Sequence, residues 1–223
     1  MREIVVDTET TGLDPAAGHR IVEVACVELV NHMPTGRHFH SYVCPERDMP
    51  EEAFRIHGLS AEYLAGHPVF EKIADELIEF LGDATRVIHN AEFDMRFLNA
   101  ELALLGRPAL PVGRATDTVA LARKRFPGAQ VNLDALCRRF EIDLSEREQH
   151  GALVDARLLA AVYLELLGGR QPDLGLAANA GARAGAALVE RQIRAARAHA
   201  PSAAEIAAHA ALVEALEDPV WRK

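Results

Sequence analysis

The chain has no positive charge to spare. Its 223 residues carry 24 Lys and Arg against 33 Asp and Glu, a net charge of −9. An acidic chain gains little from neutralising phosphates, so tight nucleic-acid binding by this chain alone is not expected, which argues against a simple DNA-binding module. It does not argue against an enzyme whose surplus carboxylates hold metal ions. Cysteine is scarce too. Cys26, Cys44 and Cys137 lie far apart and form no C-x-x-C pair. They read as reduced structural thiols of a cytoplasmic protein, with no disulfide frame and no zinc site. Long apolar runs are missing. The most apolar helical stretch, 158–167, is interrupted by Glu165 and is far too short to span a bilayer, so no membrane partner is expected. The start, Met1-Arg2-Glu3-Ile4, has no basic region followed by an apolar stretch, so no signal peptide is expected.

What remains is enough for one sizeable domain and an appendage. Residues 1–170 read as an α/β domain. Ile4-Val5-Val6 is a short apolar run ending at Asp7, consistent with a buried strand. Residues 21–29 alternate as a second strand, and Gly36-Arg37 lead into a third over 39–43. The period then changes. Phe70, Ile73, Ala74, Leu77, Ile78 and Leu81 fall on one helical face, with Gly82 as C-cap. Val87-Ile88 sits where the next strand belongs. Helical patterns follow at 94–105, 117–125, 132–140 and 151–167, before Gly168-Gly169 breaks the period.

Residues 171–223 differ in composition. Alanine fills 18 of the 53 positions, and six acidic residues balance six basic ones. The stretch 175–185 is rich in small residues and reads as a flexible linker, with two helices expected after it. Ser202 with Glu205 three residues on fits a capping box. Ile206, Ala210, Val213 and Leu216 then make a narrow apolar stripe. A lone amphipathic helix has nothing to bury such a stripe against, so it wants a partner surface, this domain or another protein.

The acids are not evenly spread. Asp7 and Glu9 lie two apart in an extended segment, so they share one face with Val5. Two adjacent like charges repel unless a cation lies between them, and hard divalent cations prefer such oxygen ligands. Asp155 shares a helical stripe with Leu159, Val162 and Leu166, where burying a carboxylate without a partner is costly. His150 stands five residues before it, at the entrance of that helix, as a candidate general base. Asp94 follows a strand and opens a helix; by itself it would pass for a helix cap. Four carboxylates from three chain regions with one histidine suggest a two-metal site, in which cations about 3.5–4 Å apart serve phosphodiester hydrolysis. The lack of cysteine or a second histidine argues against zinc.

Three segments then form a recognisable set. They are Asp7-Thr8-Glu9-Thr10-Thr11-Gly12-Leu13, His89-Asn90-Ala91-Glu92-Phe93-Asp94, and His150-Gly151-Ala152-Leu153-Val154-Asp155-Ala156. In order and spacing they resemble the three motifs of the DEDDh exonuclease family. The likeness extends along the chain to the proofreading subunits of bacterial DNA polymerase III, through segments such as Phe54-Arg55-Ile56-His57-Gly58-Leu59 and Leu133-Asp134-Ala135-Leu136-Cys137.

The resemblance implies an RNase H-like fold with a central mixed sheet flanked by helices, followed by a flexible helical tail. It implies that Asp7, Glu9, Asp94 and Asp155 hold two Mg²⁺ or Mn²⁺ ions, with His150 as general base. It puts Thr11 and Leu13 against the terminal 3′ nucleotide, His57 at the edge of the substrate pocket, and Asn90 in the loop carrying Asp94. The substrate would be a single-stranded or frayed DNA 3′ terminus. In the tail, Gln171, Asp173, Leu174 and Leu176 resemble a clamp-binding segment, weakened because Gly175 supplies no side chain and Leu176 replaces an aromatic. Ile206, Val213, Leu216 and Trp221 resemble a segment that binds the polymerase III alpha subunit, and a small accessory subunit is a further implied partner. Such partners would bring the DNA to an acidic chain. Two other readings remain open at this point: a stand-alone DEDDh exonuclease acting on RNA or oligonucleotides, and a polymerase-stabilising scaffold with a weak site.

Overall fold

A computed structural model of the chain describes residues 1–145, 150–169 and 200–216. It holds a five-stranded mixed sheet. The strands are β1 (Arg2–Thr10), β2 (Ile21–Val30), β3 (Met33–Tyr42), β4 (Thr85–Ile88) and β5 (Ala115–Asp117), arranged β3-β2-β1-β4-β5. β1 pairs antiparallel with β2 and parallel with β4, so it is the central strand, where the antiparallel meander meets the parallel half.

The helices in chain order are α1 (Glu51–His57), α2 (Ala61–Leu64), α3 (Phe70–Leu81), α4 (Ala91–Leu104), α5 (Thr118–Arg125), α6 (Leu133–Arg139), α7 (Ala152–Leu166) and α8 (Ala203–Ala215). Ile4 and Val6 of β1 belong to a core with Ile73 and Leu77 of α3 and Met95 and Leu98 of α4. Val5 belongs to a second core with Leu136 of α6 and Ala156, Leu159 and Val162 of α7. Because side chains alternate along a strand, these two cores lie on opposite faces of the sheet. Asp7 and Glu9 continue the Val5 face, and Thr8 continues the Ile4 face.

β1 extends further than its apolar run. The sequence signal stops at Val6, yet pairing to β2 continues through Asp7↔Ala25, Thr8↔Val24 and Glu9↔Glu23. Ladder hydrogen bonds join backbones and need no apolar side chain, so a polar segment stays in the sheet while its neighbour strand holds it. Both acids therefore ride on a rigid strand, not on its frayed end. β3 likewise starts at Met33, six residues before the expected strand; its first half is exposed and carries Pro34 and Gly36, as an edge strand can. α3 matches its periodicity residue for residue, and Gly82 caps it in a positive-φ conformation. α4 begins three residues before Asp94, so Asp94 is no cap: it lies within the first turns and is buried. On α7, Asp155 is buried with Leu159, Val162 and Leu166, so that apolar stripe does not run out to solvent.

The chain divides into two compact units, Met1–Asp173 and Leu174–Lys223. In the second, α8 carries the expected capping box: the Glu205 N–H donates to Ser202 Oγ at 3.3 Å, and Ser202 N–H donates to Glu205 Oε2 at 2.7 Å. None of its residues is buried; Ile206 and Leu216 are exposed and Val213 is partly covered. Gln171, Asp173, Leu174, Leu176 and Trp221 lie outside the described residues. No helix among the described residues is long and apolar enough to cross a membrane.

At the far end of β1 from its acids, a buried polar network ties the sheet to α7. Tyr163 Oη donates to Glu3 Oε1 at 2.7 Å, and His32 Nδ1 lies 2.7 Å from Glu3 Oε2. Tyr163→Phe should lower the unfolding free energy by about 1.5–3 kcal/mol, the usual range for a bond to a charged group. Denaturant melts should show the loss while the packing around Asp7 stays unchanged, because Glu3 is about 13 Å along the strand from it.

Candidate active site

The sheet brings the acids together at the end where β1 and β4 run out. Asp7 and Glu9 come from β1, Asp94 from the start of α4, and Asp155 from the first turn of α7. Thr8, on the opposite face of β1, donates its hydroxyl to Asp94 Oδ1 at 2.7 Å and anchors that carboxylate to the strand. His150 is half exposed at the mouth of the site, and its Nδ1 lies 3.3 Å from Asp155 Oδ2. Glu9, His150 and Asp155 each offer a ligand atom within 4.8 Å of the others.

Crowding shows in the protonation of these groups. Burial, then the charges of Asp94, Glu9, Asp155 and Glu23, hold the Asp7 carboxyl well above the usual carboxylate range. Glu9 is pushed up to about 8, first by burial; His150 opposes the shift, and Glu23, Asp155 and Asp94 add to it. Asp94 is raised by burial despite the bond from Thr8. Oxygen donors that repel one another when ionised suit a hard divalent cation, which supplies the missing positive charge.

Two cavities flank this cluster. One, of about 390 Å³, is lined by Asp7, His89, Asn132, Asp134, His150 and Asp155. The other, of about 510 Å³, runs from Glu9 past Thr11 and Leu13 to Ile56, His57 and Phe93. Glu9 thus lines one cavity, and Asp7 and Asp155 the other. Leu13 is largely exposed on its wall, and Thr11 is fully buried. His57 Nδ1 accepts the Leu59 N–H at 3.1 Å, whereas its Nε2 is buried without a hydrogen-bond partner of good geometry. Burial lowers its pKa. Asn90 lines neither cavity. It takes a left-handed conformation (φ 68°) at the start of α4, with its backbone N–H donating to Asp117 Oδ1 at 3.1 Å. That bond holds the turn from which Asp94 projects.

Three residues at the site were not singled out from the sequence. Thr8 was hidden between two acids. Asn132 caps α6, its Oδ1 accepting the Ala135 N–H at 2.8 Å, and its role at the cavity is visible only in space. Glu23 had a usable signal: it is an acid in a strand buried on both faces, and it sits directly across from Glu9. Its Oε1 lies 2.7 Å from His40 Nε2.

The raised carboxyls make stability pH-dependent. Glu9 favours the fold while protonated; that contribution is complete below its ordinary value of 4.5 and lost as pH rises through about 8. The metal-free protein should therefore melt at a lower temperature as pH goes from about 5 to about 8, and Mg²⁺ should raise the melting temperature most at the upper end. Glu9→Gln should flatten both trends. A flat profile in the parent protein would contradict the crowded site.

Residues 4–163 match the RNase_T family, described as Exonuclease. The DNA polymerase III subunit epsilon of Rickettsia felis is 58% identical over 174 residues, covering 77% of this chain and 76% of that protein. The subunit of the same name from Escherichia coli (strain K12) is 41% identical over 236 residues, covering 99% of this chain and 97% of its own length. Among solved structures, exonuclease X in complex with 5′ overhanging duplex DNA is 26% identical with a TM-score of 0.57, covering 74% of this chain and 90% of that one. The nuclease domain of 3′hExo, a DEDDh family member bound to rAMP, superposes with a TM-score of 0.65 at 19% identity, covering 74% and 91%, and shares the fold. The mixed sheet, the acids gathered at its end and these relatives agree: the chain belongs to the exonuclease family, with the DNA polymerase III epsilon subunits among its relatives.

Proposed function

We propose that the chain is the proofreading 3′→5′ exonuclease of a replicative DNA polymerase III, removing mismatched 3′-terminal nucleotides from DNA by metal-dependent phosphodiester hydrolysis. The observation that carries this reading is the convergence of Asp7, Glu9, Asp94 and Asp155 with His150 between two cavities, in a chain 41% identical to an epsilon subunit over nearly its whole length.

In this reading Asp7, Glu9, Asp94 and Asp155 hold two divalent cations, Mg²⁺ or Mn²⁺; the all-carboxylate donor set and its repulsion fit hard ions. Bound cations would supply an acidified water and charge neutralisation at the leaving oxygen. The protein's own groups do the rest. His150 accepts the proton of the attacking water. Asp155 Oδ2, 3.3 Å from its Nδ1, orients the ring, which leaves Nε2 for proton uptake. The cavity beside Glu9 is of a size for one nucleotide, with Leu13, Ile56 and Phe93 as apolar walls for the base and His57 at its edge. The turn held by Asn90 keeps Asp94 in place. A terminus must be unpaired to enter this cavity. A mismatched end costs less to unpair, which gives selectivity a physical basis.

Two experiments test the site and its specificity together. The purified chain with Mg²⁺ should release single nucleotides faster from 3′-mismatched than from matched primer–template, and EDTA should stop it. Single-stranded RNA of the same length serves as the comparison; preference for RNA would favour a stand-alone ribonuclease. The double variant Asp7→Ala, Glu9→Ala should lose nuclease activity by at least about 10³-fold while retaining partner binding. Persisting degradation would remove these residues from the site.

The tail completes the reading. The exposed stripe of α8 with Trp221 would dock on the alpha subunit, and Gln171, Asp173, Leu174 and Leu176 would make a weak contact with the sliding clamp. These partners would bring DNA to a chain too acidic to hold it tightly. A fragment of residues 1–170 should degrade single-stranded DNA as well as the full chain but fail to co-elute with the polymerase subunit. Full-strength co-elution would move the docking surface to the exonuclease domain.

A further inference from the structure

The segment 11–20 joins β1 to β2 and supplies much of the wall of the Glu9 cavity: Thr11, Gly12, Leu13, Asp14, Ala17 and His19 all line it. It is closed at its base. The Thr11 N–H donates to the Arg20 carbonyl at 2.9 Å, and the Arg20 N–H donates to Thr11 Oγ1 at 3.0 Å. Thr11 Oγ1 also lies 3.1 Å from His19 Nδ1, and the His19 ring packs so closely on Gly12 that a Cβ there would collide with it. Little apolar surface within the segment anchors it: Leu13, Ala16 and Ala17 are exposed, and only Pro15 is half-buried, sharing a pocket with Met95 and Ala100 of α4.

Exposed ties join it to Arg96 (at Leu13 and Asp14) and to Arg47 (at the Gly18 carbonyl), and its best-buried attachment to the rest of the domain is one carboxylate. Glu101 of α4 receives Arg20 Nε and Nη2 at 2.8 Å each and the Ile21 N–H at 3.1 Å. The Glu101 side chain is 3% exposed. Asp94 and Glu101 are seven residues apart, two turns along one face of one helix, or about 10 Å. α4 therefore refers both the metal cluster and the wall of the adjoining cavity to one rigid element. A weaker tie, Arg96 Nη2 to the Leu13 carbonyl at 3.2 Å, comes from the same helix.

We propose that Glu101, acting through Arg20, is a positioning residue that holds the 11–20 strap closed against Glu9 and so sets the affinity for the terminal nucleotide. The inference rests on the nucleotide cavity of the preceding section. Glu101 touches no substrate. Its effect comes through the fraction of molecules in which the strap is closed. Binding selects that fraction, so the affinity falls in proportion to it, whereas the saturated complex has the strap in place and turns over normally.

The test uses the full chain and the variants Glu101→Ala and Glu101→Gln, the second keeping side-chain volume should the first fail to fold. Glu28→Gln serves as the control, because Glu28 is also a buried carboxylate with three side-chain partners (Arg2, Thr35 and Arg37), placed where β2 leaves the site behind. If the strap is closed in about one molecule in ten without Glu101, KM for a single-stranded oligodeoxynucleotide and the inhibition constant of a nucleoside 5′-monophosphate should each rise about tenfold, with kcat little changed. Amide deuterium exchange in residues 12–19 should speed up in the Glu101 variants and not in Glu28→Gln, which should lose thermal stability alone. Unchanged strap exchange in both Glu101 variants, or an equal rise of KM in Glu28→Gln, would overturn the proposal. A parent protein that releases no nucleotides would instead sink the exonuclease reading, and the exchange comparison would still decide the strap.

Discussion

Like charges crowded at the end of a central strand are the constraint around which this domain is organised. Asp7, Glu9, Asp94 and Asp155 converge, with Glu23 across the ladder from Glu9, and burial already penalises the charges of Asp7, Glu9 and Asp94. Left alone, such a cluster favours protons, as the raised carboxyls show. The fold can hold it because no acid sits on a mobile segment. Two ride on β1, which is flanked by strands on both sides, and two on helices whose apolar faces fill opposite cores. The backbone thus maintains an arrangement that the side chains themselves oppose, and a site stressed in this way has a cation as its natural complement.

The same strand separates the two halves of the task. Its Val5 face carries Asp7 and Glu9 toward α7, with Asp155 and His150. Its Ile4 face carries Thr8, whose hydroxyl reaches Asp94 on α4. α4 then anchors, seven residues on, the segment that walls the cavity beside Glu9. One strand and one helix account for the placement of three of the clustered carboxylates and of the surface beside them. The net charge of −9 follows the same logic: the carboxylates that serve the chemistry weaken any hold on a polyanion. A tail with an exposed apolar stripe is a physically sensible complement, because it lets association with another protein stand in for affinity to DNA.

Much of this was legible in the chain before any coordinates. α3 could be read residue for residue from its 3.6-residue period, and α5, α6 and α7 to within a residue or two at their ends. Strong amphipathic patterns state which face is buried, and a glycine such as Gly82 states where the helix stops. What could not be read is what backbone pairing alone decides. The polar second half of β1 and the exposed first half of β3 carry no apolar alternation, yet both are strands because a neighbour's ladder holds them. The short α1, which closes one side of the cavity beside Glu9, and the short α2 span too few residues to show a period.

At the site, paired acids and an acid on an apolar stripe drew attention to Asp7, Glu9 and Asp155, but it was the resemblance of three ordered segments to the DEDDh motifs that marked them, with Asp94 and His150, as one set. Only the tertiary structure decided their mutual placement, the bond from Thr8 to Asp94, the proximity of Glu23 to Glu9, and the attachment of Arg20 to Glu101 across 81 residues of chain. Sequence patterning reports what each residue prefers locally, toward solvent or core, helix or strand. Contacts between distant segments depend on how sheet and helices pack, and no local preference encodes them.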